Sequence, residues 1–178
     1  IQKVSIIGYE GDTVISNTEV WTDQDLYGVP VKTVSDGNKV VLLGDYDARV
    51  LKAQTYTTYR DQEHTQPIIQ HAEYNENGTM ASQIGADGVR TEYQYRVDEE
   101  GRLTQQATSI KSYQDDVLLN WKESSYDEKG NLLSETTAVK STSTADNRTT
   151  TYTYNERGLK TSQTEWNGKV TSYSYDKF

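Results

Sequence analysis

Residues 161–175 read Thr161-Ser162-Gln163-Thr164-Glu165-Trp166-Asn167-Gly168-Lys169-Val170-Thr171-Ser172-Tyr173-Ser174-Tyr175. Two stretches rich in Thr, Ser, Tyr and Val flank an Asn-Gly pair, and Thr, Tyr and Val favour strands. Asn-Gly is the preferred centre of a two-residue type I′ loop, because both central residues need positive φ. That loop predicts a hairpin in which Trp166 faces Lys169, Thr164 faces Thr171 and Ser162 faces Tyr173. Trp166, Tyr173 and Tyr175 would then share one face, with Val170 and Ser172 on the other. Just upstream, Tyr154-Asn155-Glu156-Arg157-Gly158 spells a longer loop, a type I turn ending on a left-handed glycine. Two turn signals this close leave room only for short antiparallel strands.

The same spelling recurs along the chain, as Tyr74-Asn75-Glu76-Asn77-Gly78 and Tyr126-Asp127-Glu128-Lys129-Gly130. Looser copies begin at Tyr46, Tyr95 and Tyr175. Tyrosines 46, 74 and 95 each return 80 residues later, at 126, 154 and 175, and residues 74–95 share ten identities in 22 with residues 154–175. An internal duplication of about 80 residues follows. Further turns are expected at Asp36-Gly37-Asn38, Gln66-Pro67, Asp87-Gly88, Gln114-Asp115-Asp116 and Asp146-Asn147. Longer strands are expected over residues 102–113, 117–126 and 131–140, and residues 136–151 as two strands around a turn. No window carries a helical period. The expected fold is all-β: a twisted, curled antiparallel meander of β-hairpin repeats with about 12–14 strands. One domain spans residues 1–178. It comprises a more aliphatic N-terminal stretch (1–45), a first repeat unit (46–125) and a second, truncated one (126–178).

Composition points to a folded chain with an unusual, tyrosine-based core, more conventional at its aliphatic N-terminal end. Leu, Ile, Val and Phe supply only 33 of 178 residues, below the fifth at which a net charge of −9 points towards disorder. Fourteen Tyr and three Trp counter this, since each ring can bury about 150–250 Å². The acidic balance, without any basic run, argues against nucleic acid and anionic lipid as partners. No apolar stretch is long enough for a transmembrane helix. Without cysteine there is no disulfide, thiolate metal site or thiol nucleophile. The chain opens at Ile1, as expected of a processed mature form or an excised segment.

The Tyr-Asp/Asn-x-x-Gly-x-Leu turn, with Thr-x-Tyr-x-Tyr leading into it, resembles the YD-repeat (Rhs-like) family. The matching residues are Tyr126-Asp127-Glu128-Lys129-Gly130-Asn131-Leu132 and Thr151-Tyr152-Thr153-Tyr154-Asn155-Glu156-Arg157-Gly158-Leu159, followed by Thr171-Ser172-Tyr173-Ser174-Tyr175-Asp176. The likeness spans residues 46–178. It implies a spiralling antiparallel sheet and a bacterial secreted, periplasmic or cell-surface setting. Large members enclose a toxin; this chain is too short for a closed shell, and neither a toxin-like region nor the family's self-cleaving core is recognisable in it.

One set of side chains stands out as a binding candidate, an aromatic stripe of Tyr93, Tyr95, Tyr152, Tyr154, Trp166, Tyr173 and Tyr175. Tyr and Trp stack on sugars and peptides while keeping a polar edge. The competing reading makes these rings the interior of the sheet. Asp98-Glu99-Glu100, Asp115-Asp116 and Asp45 with Asp47 could hold calcium, yet lack any EF-hand or nonapeptide spacing, and read as solvated turn residues. His64 and His71, with Glu73 two positions after His71, make too few ligands for a metal site. Asn77-Gly78-Thr79 and Asn147-Arg148-Thr149 match glycosylation sequons, but each falls in a turn that calls for Asn anyway. No catalytic constellation, cofactor motif or metal site is expected. The leading function is a non-enzymatic structural or binding module for carbohydrate or protein, with unpaired sheet edges able to join copies. Two alternatives stay open: a carboxylate-based hydrolase or calcium-dependent enzyme, and a half-barrel carrier of a lipid or small ligand.

Overall fold

The computed structural model describes residues 2–24, 30–35, 40–47, 50–60, 63, 65–138 and 146–176. The backbone divides into two compact units, residues 1–89 and 90–178. The first holds β1 (Gln2–Glu10), β2 (Thr13–Gln24), β3 (Pro30–Ser35), β4 (Val40–Asp47), β5 (Val50–Tyr59), β6 (Pro67–Tyr74) and β7 (Met80–Ile84). The second holds β8 (Arg90–Val97), β9 (Leu103–Gln114), β10 (Val117–Tyr126), β11 (Leu132–Thr137), β12 (Arg148–Tyr154), β13 (Lys160–Thr164) and β14 (Val170–Ser172). Within each unit every strand pairs antiparallel with the next in the chain. The all-β hairpin meander is therefore present, with fourteen strands among the described residues. Two of the expected long strands are β9 and β10, while β11 is shorter than residues 131–140. The turn expected at Asp36-Gly37-Asn38 lies outside the described residues.

One loop geometry recurs, and it corrects the expected hairpin at Asn167-Gly168. The Glu165 N–H donates to the Lys169 carbonyl at 2.8 Å, and the Gly168 N–H donates to the Glu165 carbonyl at 2.8 Å. Only Gly168 has positive φ, at 84°. This is the type I turn closed by a glycine bulge, in place of a two-residue I′ loop. Asn167 stays out of the left-handed region because its Oδ1 accepts the Lys169 N–H at 3.0 Å. Thr164 consequently faces Val170, Gln163 faces Thr171 and Ser162 faces Ser172, one residue away from the expected register. Trp166 sits in the loop itself. The same pair of backbone bonds closes the loops ending on Gly78, Gly88, Gly101, Gly130 and Gly158. Asp115-Asp116 is a true two-residue loop, with φ of 48° and 63° between the paired Gln114 and Val117. Aspartate tolerates that region better than most residues.

The duplication leaves a geometric trace. In β6–β7, His71 faces Ile84, Ala72 faces Gln83, Glu73 faces Ser82 and Tyr74 faces Met80, with a bulge after Glu73. In β12–β13, Thr151 faces Thr164, Tyr152 faces Gln163, Thr153 faces Ser162 and Tyr154 faces Lys160, with a bulge after Thr153. Every partner lies 80 residues from its counterpart.

Among the side chains described, no conventional interior is enclosed. Among the described residues whose exposure is defined, only Thr79, Ser109 and Ala138 are buried. A sheet of consecutive hairpins has one layer, so each side chain packs only against its same-face neighbours. Aromatic and long polar side chains suit this better than Leu or Ile, because they cover area sideways and keep a polar end wet.

Candidate functional site

Cross-strand register carries the tyrosines of the predicted stripe onto one face of residues 90–178, while Trp166 reaches it from a loop. Tyr93 pairs with Ile110, Ile110 with Lys122, Lys122 with Thr137 and Thr137 with Arg148. Arg148 and Tyr152 lie on one side of β12, and Tyr152 pairs with Gln163, which pairs with Thr171. Side chains alternate along a strand, so Tyr95, Tyr154, Tyr173 and Tyr175 follow onto the same face. The opposite face carries hydroxyls: Ser125 and Ser134 at 2.6 Å, Thr136 and Thr149 at 2.9 Å, and Thr153 and Ser162 at 2.7 Å.

Three of the tyrosines that open a motif, Tyr126, Tyr154 and Tyr175, share a specific task. The Tyr126 hydroxyl donates to the Ala107 carbonyl at 3.0 Å, that of Tyr154 to the Leu132 carbonyl at 2.9 Å, and that of Tyr175 to the Lys160 carbonyl at 2.8 Å. Ala107, Leu132 and Lys160 are the residues paired with Tyr95, Tyr126 and Tyr154, each beside a bulge. A bulge disrupts the ladder and leaves a residue unpaired. Each tyrosine thus supplies a donor to the bulge of the preceding hairpin and ties the two together. Burial raises the Tyr154 pKa above its ordinary value, and burial followed by neighbouring Tyr93 does the same for Tyr95.

Cations intercalate among the rings at the far end. Lys160 Nζ lies 4.7 Å from the Tyr173 ring centre and 5.3 Å from that of Tyr152, and donates to Gln163 Oε1 at 3.1 Å. The Arg148 guanidinium stands 4.7 Å from the Trp166 ring centre. Such contacts are worth about 0.5–1 kcal/mol each at exposed sites. Tyr93, Tyr95, Tyr152 and Tyr154 are half-buried, whereas Tyr173, Tyr175 and Trp166 are exposed. Sequence reading omitted Tyr126, Lys160 and Arg148 from this face.

The acidic clusters serve the loops. Asp98 Oδ1 accepts the Arg102 N–H at 2.8 Å, its Oδ2 accepts Arg102 Nε at 2.9 Å, and Glu100 accepts Arg102 Nη2 at 2.8 Å. Asp127 Oδ1 accepts the Asn131 N–H at 2.7 Å, and its Oδ2 the Asn131 amide at 2.8 Å. The Arg102 backbone N–H holds the Asp98 pKa below the usual range, helped by the Arg102 side chain. The Asn131 side-chain amide does so for Asp127, followed by the Asn131 backbone. Both shifts run opposite to those a general acid needs. Asp116 pairs with Arg90 at 3.1 Å. His71 Nδ1 lies 2.9 Å from the Thr55 hydroxyl, and its Nε2 lies 3.8 Å from Glu73; no three His, Asp or Glu come together to hold a metal among the described residues. His64 lies outside the described residues.

Comparison with known proteins places the resemblance on firm residues. The RHS Repeat family matches residues 126–170, which span β11 to β13 and the loops around them. The crystal structure of TcdB2-TccC3-Cdc42 is similar over 92% of this chain and 8% of that chain, with a TM-score of 0.52 and 20% identity. A structure of the Photorhabdus luminescens Tc holotoxin pore with a mutation in TccC3 aligns over 96% of this chain and 11% of that one, at a TM-score of 0.47 and 16% identity. The first similarity extends to the fold alone, and this chain spans less than a tenth of that protein. No curated protein matches by sequence.

Proposed function

Starting from residues 126–170 as an RHS repeat, we propose that this chain is a non-enzymatic wall module of a bacterial secreted, periplasmic or cell-surface protein. The observation that carries this reading is the assignment of the motif tyrosine hydroxyls to backbone carbonyls of the preceding hairpin. A ring and hydroxyl used to join one hairpin to the next are building elements of an extendable sheet. The polar-lined, single-layer architecture and the lowered carboxyl pKa values of Asp98 and Asp127 favour this over a hydrolase. No helix among the described residues is long and apolar enough to cross a membrane.

A binding role is confined in this reading to the exposed end of the face. There Trp166, Tyr173 and Tyr175 offer ring surface to a carbohydrate or a protein. Mild nitration and oxidation, followed by peptide mass spectrometry on the folded chain, separates the two roles. Tyr93, Tyr95, Tyr126 and Tyr154 should resist modification, while Trp166, Tyr173 and Tyr175 react. Uniform reaction along the whole set would overturn the wall assignment and make the entire face a binding platform.

A further inference from the structure

The chain contains two Asn-Gly pairs, Asn77-Gly78 and Asn167-Gly168, and by sequence alone they are chemically equivalent. Each asparagine stands just before the left-handed glycine of its loop. Each turns its Oδ1 back onto the backbone N–H two residues on, at 3.1 Å to Thr79 and 3.0 Å to Lys169. A side-chain carbonyl in that position spans the intervening glycine amide and brings Cγ alongside the glycine nitrogen. Those are the two atoms that bond when an asparagine closes on its own backbone, and holding them together removes the entropic part of the barrier. The N–H that Oδ1 already faces is a donor for the negative charge that develops on this oxygen. The space around Gly168 is open, with nothing within 4 Å of where a Cβ would stand.

The surroundings separate the two pairs. Thr79 is buried, and its hydroxyl donates to Asn77 Oδ1 at 2.7 Å and accepts the Asn75 amide at 3.0 Å. This loop joins β6 and β7, of eight and five residues, and β6 also pairs along β5. Asn167, Gly168 and Lys169 are exposed. Their loop leads into β14, which has three residues and pairs with β13 alone among the described residues. In both loops the glycine N–H is occupied, by the Asn75 carbonyl at 2.9 Å and by the Glu165 carbonyl at 2.8 Å. Attack requires that bond to open. Opening is easiest where few pairs hold the hairpin, at the β13–β14 end. The counterpart of Asn167 80 residues earlier is Asp87, whose Oδ1 accepts the Val89 N–H at 3.1 Å in a loop closed by the same two backbone bonds. Aspartate is thus already a native occupant of this loop position.

We propose that Asn167 is a site of spontaneous deamidation in the folded chain, while Asn77 is preserved. The Gly168 nitrogen gives its proton to hydroxide and bonds to Asn167 Cγ. The Cγ–Nδ2 bond then breaks, Nδ2 takes a proton from water, and ammonia leaves behind a succinimide. Water adds to one of its two carbonyls, with no change in oxidation state. Cleavage of the Cγ–N bond gives aspartate with the backbone intact. Cleavage of the backbone C–N bond routes the chain through Cγ and gives isoaspartate. The two products differ in effect. Aspartate keeps the acceptor that Asp87 supplies in the equivalent loop. Isoaspartate lengthens the backbone by one atom, so the Gly168 bond to the Glu165 carbonyl and the bulge are not both kept, and β14 is released. Either product places a new carboxylate beside the exposed Trp166.

The test is incubation of the full chain in mildly alkaline buffer made with heavy-oxygen water, followed by peptide mapping by mass spectrometry. A succinimide, and then a single heavy oxygen in the product, mark the reaction through Gly168. In the folded chain the Asn167 peptide should convert about tenfold faster than the Asn77 peptide. In urea strong enough to unfold the chain the two should convert at comparable rates, since the dipeptides are the same. Asn167→Asp should keep the urea midpoint of the wild type, while the separated isoaspartate form shows faster amide exchange in β13 and β14. Conversion of Asn77 as fast as that of Asn167 in the folded chain overturns the proposal. So does retention of both asparagines over the time that converts the unfolded chain. An isoaspartate form whose hairpin exchanges like the wild type overturns the release of β14.

Discussion

At the scale of single residues, tyrosine in place of phenylalanine is the informative choice. Tyr154→Phe keeps the ring but removes the donor to the Leu132 carbonyl, and should cost about 0.5–1.5 kcal/mol in urea unfolding. Tyr154 also titrates above its ordinary value, because burial disfavours the phenolate. A raised folded value means that its contribution is complete below the unfolded pKa of about 10 and is lost as pH rises through the folded one. Ultraviolet titration of wild type against Tyr154→Phe checks this. Asp127 runs the other way. Its folded value is depressed by the Asn131 amide and backbone, so its contribution is present above about pH 3.9 and fades as pH falls through the lowered value. Asp127→Asn preserves an Asx acceptor, as Asn155 does naturally, and should flatten the acid side of the stability profile measured by urea midpoints. Glycine has a different function at Gly168, where a Cβ would meet nothing within 4 Å and only the φ of 84° demands it. Gly168→Ala should therefore cost about 1–2 kcal/mol, and Gly168→Asn, which tolerates that region, clearly less.

Among elements, the hairpin is the unit of construction. Its loop places the side-chain acceptor in one of two positions. Asp98, Asp127 and Asn155 open the loop, while Asn77, Asp87 and Asn167 stand just before its glycine. Both arrangements accept the backbone N–H on the far side of the turn, which is why Asp or Asn recurs at both places. The loops repeated in the sequence were legible as turns for that reason. Their register was not. Asn-Gly alone signals a two-residue loop, and the choice of the longer one depends on the Asn167 side chain and on the bulge, neither of which local propensity reveals. The matching registers of β6–β7 and β12–β13 are what a copied 80-residue segment leaves behind.

On the scale of each whole unit, the substantial strand contacts among the described residues run between consecutive strands, as in a solenoid. Stability is then a sum of local terms, with little cooperation at a distance. Tyr175→Phe should accelerate amide exchange in β13 and β14 and leave β8 and β9 unchanged within the same unit; hydrogen exchange by mass spectrometry reads this directly. Strand order, hairpin connectivity and the clustering of tyrosines were determined by the sequence itself, because turn residues at fixed spacing and period-2 alternation are local properties. The RHS repeat at residues 126–170 was equally readable from Tyr126, Asp127, Gly130 and Leu132. Tertiary structure alone decided which partners those tyrosines find and that Lys160 and Arg148 sit against the rings. Each of these depends on cross-strand register, and register depends on bulges and loop closure. A one-residue difference at a loop re-pairs every residue of the hairpin behind it, which no reading of one strand at a time can foresee.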